Sequence, residues 1–68
     1  MFTIEVKRAG AKRFTAMDSG MSFASALESF ARVIQSETRI NNNPGVVRMS
    51  DQAHHVIAKA TFYKGEWI

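Results

Sequence analysis

The chain has 68 residues, with nine Lys and Arg against six Asp and Glu and no cysteine. This length allows one domain, over residues 1–68, that buries only about 60% of its extended-chain surface. The lack of cysteine excludes a disulfide framework and a cysteine-ligated zinc site, and no apolar run is long enough for a signal peptide or a membrane span. The net charge of +3 favours anionic partners only mildly.

The first two segments predict a β-hairpin. Residues 2–7 alternate apolar and polar side chains, which is typical of a strand with one buried face, and residues 12–17 are its expected partner. A two-residue turn would place polar residues opposite apolar ones and lysine opposite lysine. A three-residue loop, Arg8-Ala9-Gly10 with Gly10 in the left-handed region, removes this conflict. The expected pairs are Phe2 with Ala16, Ile4 with Phe14, and Glu5 with Arg13.

The segment MSFASALESFARVIQSETR predicts an amphipathic helix of about four to five turns. Ser22 is the expected N-cap, and the Asn-rich stretch with Pro44 must end the helix near Arg39. The expected buried face consists of Phe23, Ala26, Leu27, Phe30, Val33 and Ile34. The opposite side is rich in serine, at positions 25, 29 and 36, and suits either a solvated face or an interface.

The last third of the chain predicts two more strands. VVRMS should form a short strand with Val47 and Met49 inward and Arg48 outward, and HVIAKATFY a longer one. A short helix through Ala60, N-capped by Ser50, is the alternative, because SDQAH is poor hairpin sequence. YKGEW then predicts a final turn that lays Trp67 across the sheet edge, either as a core residue or as a contact residue.

These elements predict an α+β fold in ββαββ order, with one amphipathic helix packed on one face of an antiparallel sheet. The expected core consists of Phe2, Ile4, Phe14, Leu27, Phe30, Ile34, Val47, Val56 and Phe62.

The uncovered face of such a sheet is the expected binding surface. The alternation of apolar and polar residues along the strands makes this face mostly cationic, with one aromatic ring. The expected contact residues on this face and on the KRAGAKR tip are Lys7, Arg8, Lys12, Arg13, Arg48, Lys59 and Tyr63. Such a surface suits an acidic protein patch, or phosphates with an unpaired base stacked on the ring. Lysines that only keep an open sheet soluble are the third interpretation, and insertion of the tip into a DNA groove is a fourth.

Nothing in the sequence predicts catalysis. The carboxylates are scattered, and glycines stand singly at positions 10, 20, 45 and 65, so no phosphate-binding loop exists. On a helix, Asp51, His54 and His55 would share one side and could hold zinc, whereas on a strand the two histidines point to opposite faces. We therefore expect no enzyme activity, no metal and no cofactor.

An initial strand, the helix SFASALESFARVI, the strand VVRM and a last strand running into FYKGEW together resemble small phage-encoded accessory proteins, including type I anti-CRISPR inhibitors. The resemblance covers the whole chain as order of elements, size and lack of cysteine, and carries over no functional residue. It implies a non-enzymatic protein in the cytoplasm of a host cell that occupies a functional surface of a host protein or ribonucleoprotein complex. A small nucleic-acid-binding domain is the alternative, and a homodimer is a further one.

Overall fold

The computed structural model describes residues 1–40 and 45–68. Five strands form one antiparallel sheet in the spatial order β2-β1-β3-β4-β5, and one helix lies across it, which confirms the predicted α+β class. The elements are β1 (Phe2–Lys7), β2 (Thr15–Met21), α1 (Phe23–Ile40), β3 (Val46–Ser50), β4 (Val56–Tyr63) and β5 (Glu66–Trp67). The predicted Asn-Pro loop falls largely outside the described residues.

The β1–β2 hairpin exists, but its predicted register is wrong. Gly10 has the expected positive φ of 84°, in a turn where Ala11 N donates to Arg8 O at 2.9 Å. β2 begins only at Thr15, so Glu5 pairs with Ala16, and two register shifts farther along β2 make Ile4 pair with Asp18 and Phe2 with Met21. Such bulges insert unpaired residues and so change which side chains share a face. Alternation alone does not reveal them.

The helix begins where the sequence predicts, and Ser22 Oγ accepts a long hydrogen bond of 3.4 Å from Ser25 N. Its buried face is rotated from the expected one: Ala26, Ser29 and Glu37 are buried, whereas Leu27 is 47% exposed. Ser29 and Glu37 are buried because each has a polar partner in another segment, and hydrogen-bonded polar groups can leave water at little cost.

The core is small and lies between α1 and the three strands β1, β3 and β2. It consists of Ile4, Val6, Ala26, Val47 and Met49, with Phe2, Phe30 and Ile34 among the partly buried side chains around it. Four predicted core residues do not belong to it, and one of them, Phe62, packs on Trp67 instead. Leu27 and Val56 are about half exposed, and Phe14 lies on the other side of the sheet.

The segment that was ambiguous between helix and strand forms a β-turn and then strand β4. His54 N donates to Asp51 O at 3.0 Å, and Asp51 Oδ1 accepts from Ala53 N at 2.9 Å and from His55 N at 2.8 Å. The Asp51 carboxylate therefore organises the turn, while His54 takes a φ of 66°. The helical alternative is wrong.

Trp67 lies on the helix side of the sheet. A two-residue turn at Lys64 and Gly65, both with positive φ, pairs Trp67 with Phe62 and brings the two rings to 5.3 Å. Trp67 Nε1 donates to Thr38 Oγ1 at 2.7 Å. This side chain therefore joins the last strand to α1.

Candidate binding surface

The side of the sheet opposite α1 carries a row of charged residues across three strands. Glu5 of β1 pairs with Arg48 of β3, and Arg48 pairs with Lys59 of β4. The neighbouring row contains Lys7, Val46 and Thr61. We call this side the open face and define it by Thr3, Glu5, Lys7, Phe14, Arg48, Lys59 and Thr61. Side chains on paired positions of a sheet point to the same side, so Glu5, Arg48 and Lys59 are neighbours.

Arg48 is held at the centre of the open face by two contacts. Its Nε donates to Glu5 Oε1 at 3.0 Å, and its guanidinium carbon lies 3.6 Å from the centre of the Phe14 ring. Ser50 Oγ donates to the same Glu5 oxygen at 3.1 Å. Both long side chains are therefore fixed, although 30% of the Arg48 side chain remains exposed. An arginine fixed in this way loses less rotamer freedom when it binds a partner.

The Glu5–Arg48 pair corrects the predicted partner of Glu5, which was Arg13. The hydrogen bond from Arg48 is the main cause that holds the pKa of Glu5 below its ordinary value, and the hydrogen bond from Ser50 acts in the same direction against the opposing effect of burial. Because Glu5 stays ionised, it offsets the charge of Arg48. The uncompensated positive charge of the open face then comes from Lys7 and Lys59.

Arg8 does not belong to the open face. Its Nε and Nη2 donate to the two oxygens of Glu37 at 2.9 and 3.0 Å, which ties the β1–β2 loop to α1. The Glu37 side chain is only 2% exposed, against 50% for Arg8. The hydrogen bond that Arg8 donates to Glu37 raises the pKa of Arg8 above its ordinary range. The sequence offered no structural reason for Arg8; this bidentate pair supplies one.

The other predicted contact residues are separated on the surface. Lys12 and Arg13 are exposed on the β1–β2 loop, beyond the Arg8 anchor. Tyr63, at the end of β4, is 58% exposed, and Lys64 Nζ lies 5.3 Å from the centre of its ring. The structure thus brings Lys7, Arg48 and Lys59 onto one face, with Tyr63 at its edge on the same side of β4, and it places Lys12 and Arg13 on the neighbouring loop.

A polar cavity of about 250 Å³ lies at one end of the open face, lined in part by Thr3, Glu5, Ser50, Asp51 and His54. Its two carboxylates already have partners, since Glu5 binds Arg48 and Asp51 binds the turn backbone and His55 Nδ1 at 3.3 Å. The backbone hydrogen bond from His55 is the main cause of a lowered pKa at Asp51. Within residues 1–40 and 45–68, no three His, Asp or Glu side chains are grouped to hold a metal ion.

Sequence reasoning missed two features of this surface, the Phe14 support of Arg48 and the Glu37 anchor of Arg8. A signal for the second exists: Glu37 continues the line of Ala26, Phe30 and Val33 at three- and four-residue steps. A carboxylate in such a line is expected to find a buried cationic partner.

No known protein family, no curated protein and no solved structure matches the chain. The resemblance to small phage-encoded proteins thus stays a hypothesis based on topology. Among the described residues, no helix is both long and apolar enough to cross a membrane.

Proposed function

We propose that this is a non-enzymatic binding protein that docks its open face on an acidic surface of a host macromolecular complex, as a small phage or mobile-element inhibitor would. The observation that carries the proposal is Arg48, fixed by Glu5 and Phe14 on a sheet face that no described element covers. Lys59 beside it and Lys7 in the next row supply uncompensated charge. Complementary charge of this kind steers association and selects the partner.

The contacts of Arg48 favour a carboxylate-bearing partner. Glu5 uses only Nε of the guanidinium, so the Nη groups can donate to a partner carboxylate in the planar geometry that arginine favours. Phe14 and Glu5 already hold the side chain, so docking costs little additional ordering. Lys12 and Arg13 extend the same positive charge along the adjacent loop.

A nucleic-acid partner is the second candidate, and the exposed Tyr63 with Lys64 near its ring is the observation that favours it. Base stacking needs exposed aromatic faces, and Phe14, the other ring on this side, is already covered by Arg48. The net charge of +3 is also modest for a phosphate-binding domain. The acidic protein surface is therefore the better fit.

Capture from a bacterial lysate tests this function. The tagged chain is incubated with nuclease-treated lysate at moderate salt, beside a Lys7→Glu/Lys59→Glu variant and an Arg32→Glu control, which changes an exposed charge on α1. We expect one defined protein complex with the native chain and the control, and its loss with the double variant.

Recovery of nucleic acid alone, lost on nuclease or salt treatment, would contradict the proposal and support the second candidate. Binding to duplex DNA would then weaken with salt with a log–log slope of about 0.9 per neutralised phosphate.

A further inference from the structure

The outer edge of β4 is paired over only part of its length. β5 covers its end, where Thr61 N donates to Ile68 O at 3.0 Å and Ile68 N donates to Thr61 O at 2.8 Å. The β4–β5 ladder otherwise contains Phe62 and Tyr63. In the part of the chain that the structure describes, no strand lies beside residues 56–60 on that side. We call residues 56–60 the free edge of β4.

The backbone of Lys59 points away from β3 at this free edge. In an antiparallel strand, successive residues direct their N–H and C=O groups to opposite neighbours. Thr61 directs its groups outward to Ile68, whereas Phe62 N donates inward, to Gly45 O at 2.7 Å. Lys59, two residues before Thr61, therefore directs one donor and one acceptor outward. Unpaired groups of this kind bind the backbone of another extended segment.

The side chain of Lys59 selects the charge of such a segment. Every second side chain of an added strand would lie on the open-face side, next to Lys59, with Arg48 and Lys7 behind it across the sheet. Carboxylates at these positions would be attracted. The alternate side chains would lie beside Ala58 and Ala60, which are partly buried on the helix side, so apolar groups suit those positions.

An acidic segment fits the free edge better than a second copy of the chain does. Two β4 edges paired about a two-fold axis perpendicular to the sheet would bring both Lys59 side chains to one side of a short ladder, where like charges oppose pairing. The other edge strand, β2, also has an unpaired side, but its one charged residue is Asp18, which would repel an acidic segment. Charge therefore assigns an acidic segment to β4.

We propose that the free edge of β4 binds an extended segment of the partner by strand addition, with Lys59 as the central pairing residue and acidic side chains of the segment on the open-face side. The β3–β4 ladder skips Ile57, so the regular part of the edge is short and the segment pairs over only a few residues. This inference rests on the proposed function, since it names how the acidic partner is held beside the open face. Main-chain hydrogen bonds supply affinity there, and the charge supplies specificity.

A capped peptide of alternating glutamate and valine, about eight residues long, is the probe, and a peptide of the same composition with its glutamates and valines in two blocks is the control. Each is titrated into the full chain to about 5 mM and followed by NMR of the backbone amides. We expect the alternating peptide to bind about tenfold more tightly than the block peptide. At saturation it should slow hydrogen exchange of the Lys59 amide about tenfold or more, whereas the Thr61 amide, already bonded to Ile68, should change little.

Two variants separate the backbone of Lys59 from its charge. Lys59→Gln removes the charge and should weaken peptide binding about threefold, whereas Lys59→Pro also removes the outward N–H and should weaken it about tenfold further. If Lys59→Pro does not fold, the exchange measurement on the native chain decides alone.

Unchanged exchange of the Lys59 amide at saturation, or equal binding of the two peptides, would overturn strand addition. A peptide that shifts the amides of Lys7 and Arg48 without protecting Lys59 would overturn it and leave the open face as the binding surface. The absence of any shift would also overturn it, and lysate capture with the Lys7→Glu/Lys59→Glu variant then decides the proposed function separately.

Discussion

Two arginine–glutamate pairs in this protein have opposite consequences. Arg8 and Glu37 form a bidentate pair whose carboxylate is only 2% exposed, and it joins a loop to the helix. Arg48 and Glu5 form a single hydrogen bond on the open face, where 30% and 22% of the side chains are exposed. Burial of the carboxylate decides the difference, because a buried charge must keep its partner whereas a surface charge can accept another. The first pair therefore joins the loop to the helix, and the second keeps part of its guanidinium exposed on the open face.

The largest expected effect is at Gly45, beside the Arg8 anchor. A Cβ there would lie 2.2 Å from Lys7 O and 3.0 Å from Ala9 N, at a φ of +97°. Gly45→Ala must displace backbone, so we expect it to lower the free energy of unfolding by more than about 3 kcal/mol. Gly10→Ala has a similar φ of +84° with nothing within 4 Å, and should cost only about 1–2 kcal/mol. Urea unfolding measures both, and equal losses would contradict the close approach at Gly45.

The next largest effect on stability is expected from removing the carboxylates of the two pairs, Glu37 and Glu5. Glu37→Ala removes the partner of Arg8 and leaves a cavity, so we expect the melting temperature to fall by about 5–10 °C. Glu5→Ala removes a partly exposed carboxylate and should lower it by about 2–5 °C. Thermal unfolding followed by circular dichroism compares them. A larger loss for Glu5→Ala would reverse the assignment of the structural pair.

The sequence predicted part of this arrangement. The alternation in β3 and β4 placed Arg48 outward and Val47 and Met49 inward, and the Ser22 cap marked the helix start. The sequence did not identify the partners of either arginine, although the line of Ala26, Phe30 and Glu37 on the helix signals a buried carboxylate. Glu37 is 29 positions from Arg8, and a helix face judged by apolarity alone puts a glutamate on the solvent side.

The predicted position of Phe14 was wrong for a different reason. The predicted loop of three residues was too short: β2 begins only at Thr15, which pairs with Val6, so Phe14 lies on the open face against Arg48 instead of opposite Ile4. Length and alternation predict that two strands pair, but they do not predict how many residues the connecting loop takes.

The smallest expected effect is a change in how the free energy of unfolding depends on pH. Hydrogen bonds lower the folded-state pKa of Glu5, chiefly from Arg48, and of Asp51, chiefly from the His55 backbone. A lowered pKa adds stability that is complete above the unfolded value, ordinarily 4.5 for Glu5, and is lost as the pH falls through the folded value. Urea unfolding between about pH 3 and pH 6 should show this loss, and it should be shallower for Glu5→Gln than for the native chain. Identical profiles would mean that Glu5 is not held by Arg48.

The most direct test of the account compares Arg48→Ala with Arg8→Ala, each measured for thermal stability and for capture of the partner complex from lysate. We predict that Arg48→Ala loses the partner with a small change in melting temperature, and that Arg8→Ala keeps the partner with a lower melting temperature. If Arg8→Ala loses the partner while still folded, or Arg48→Ala retains it in full, the open face is not the binding surface.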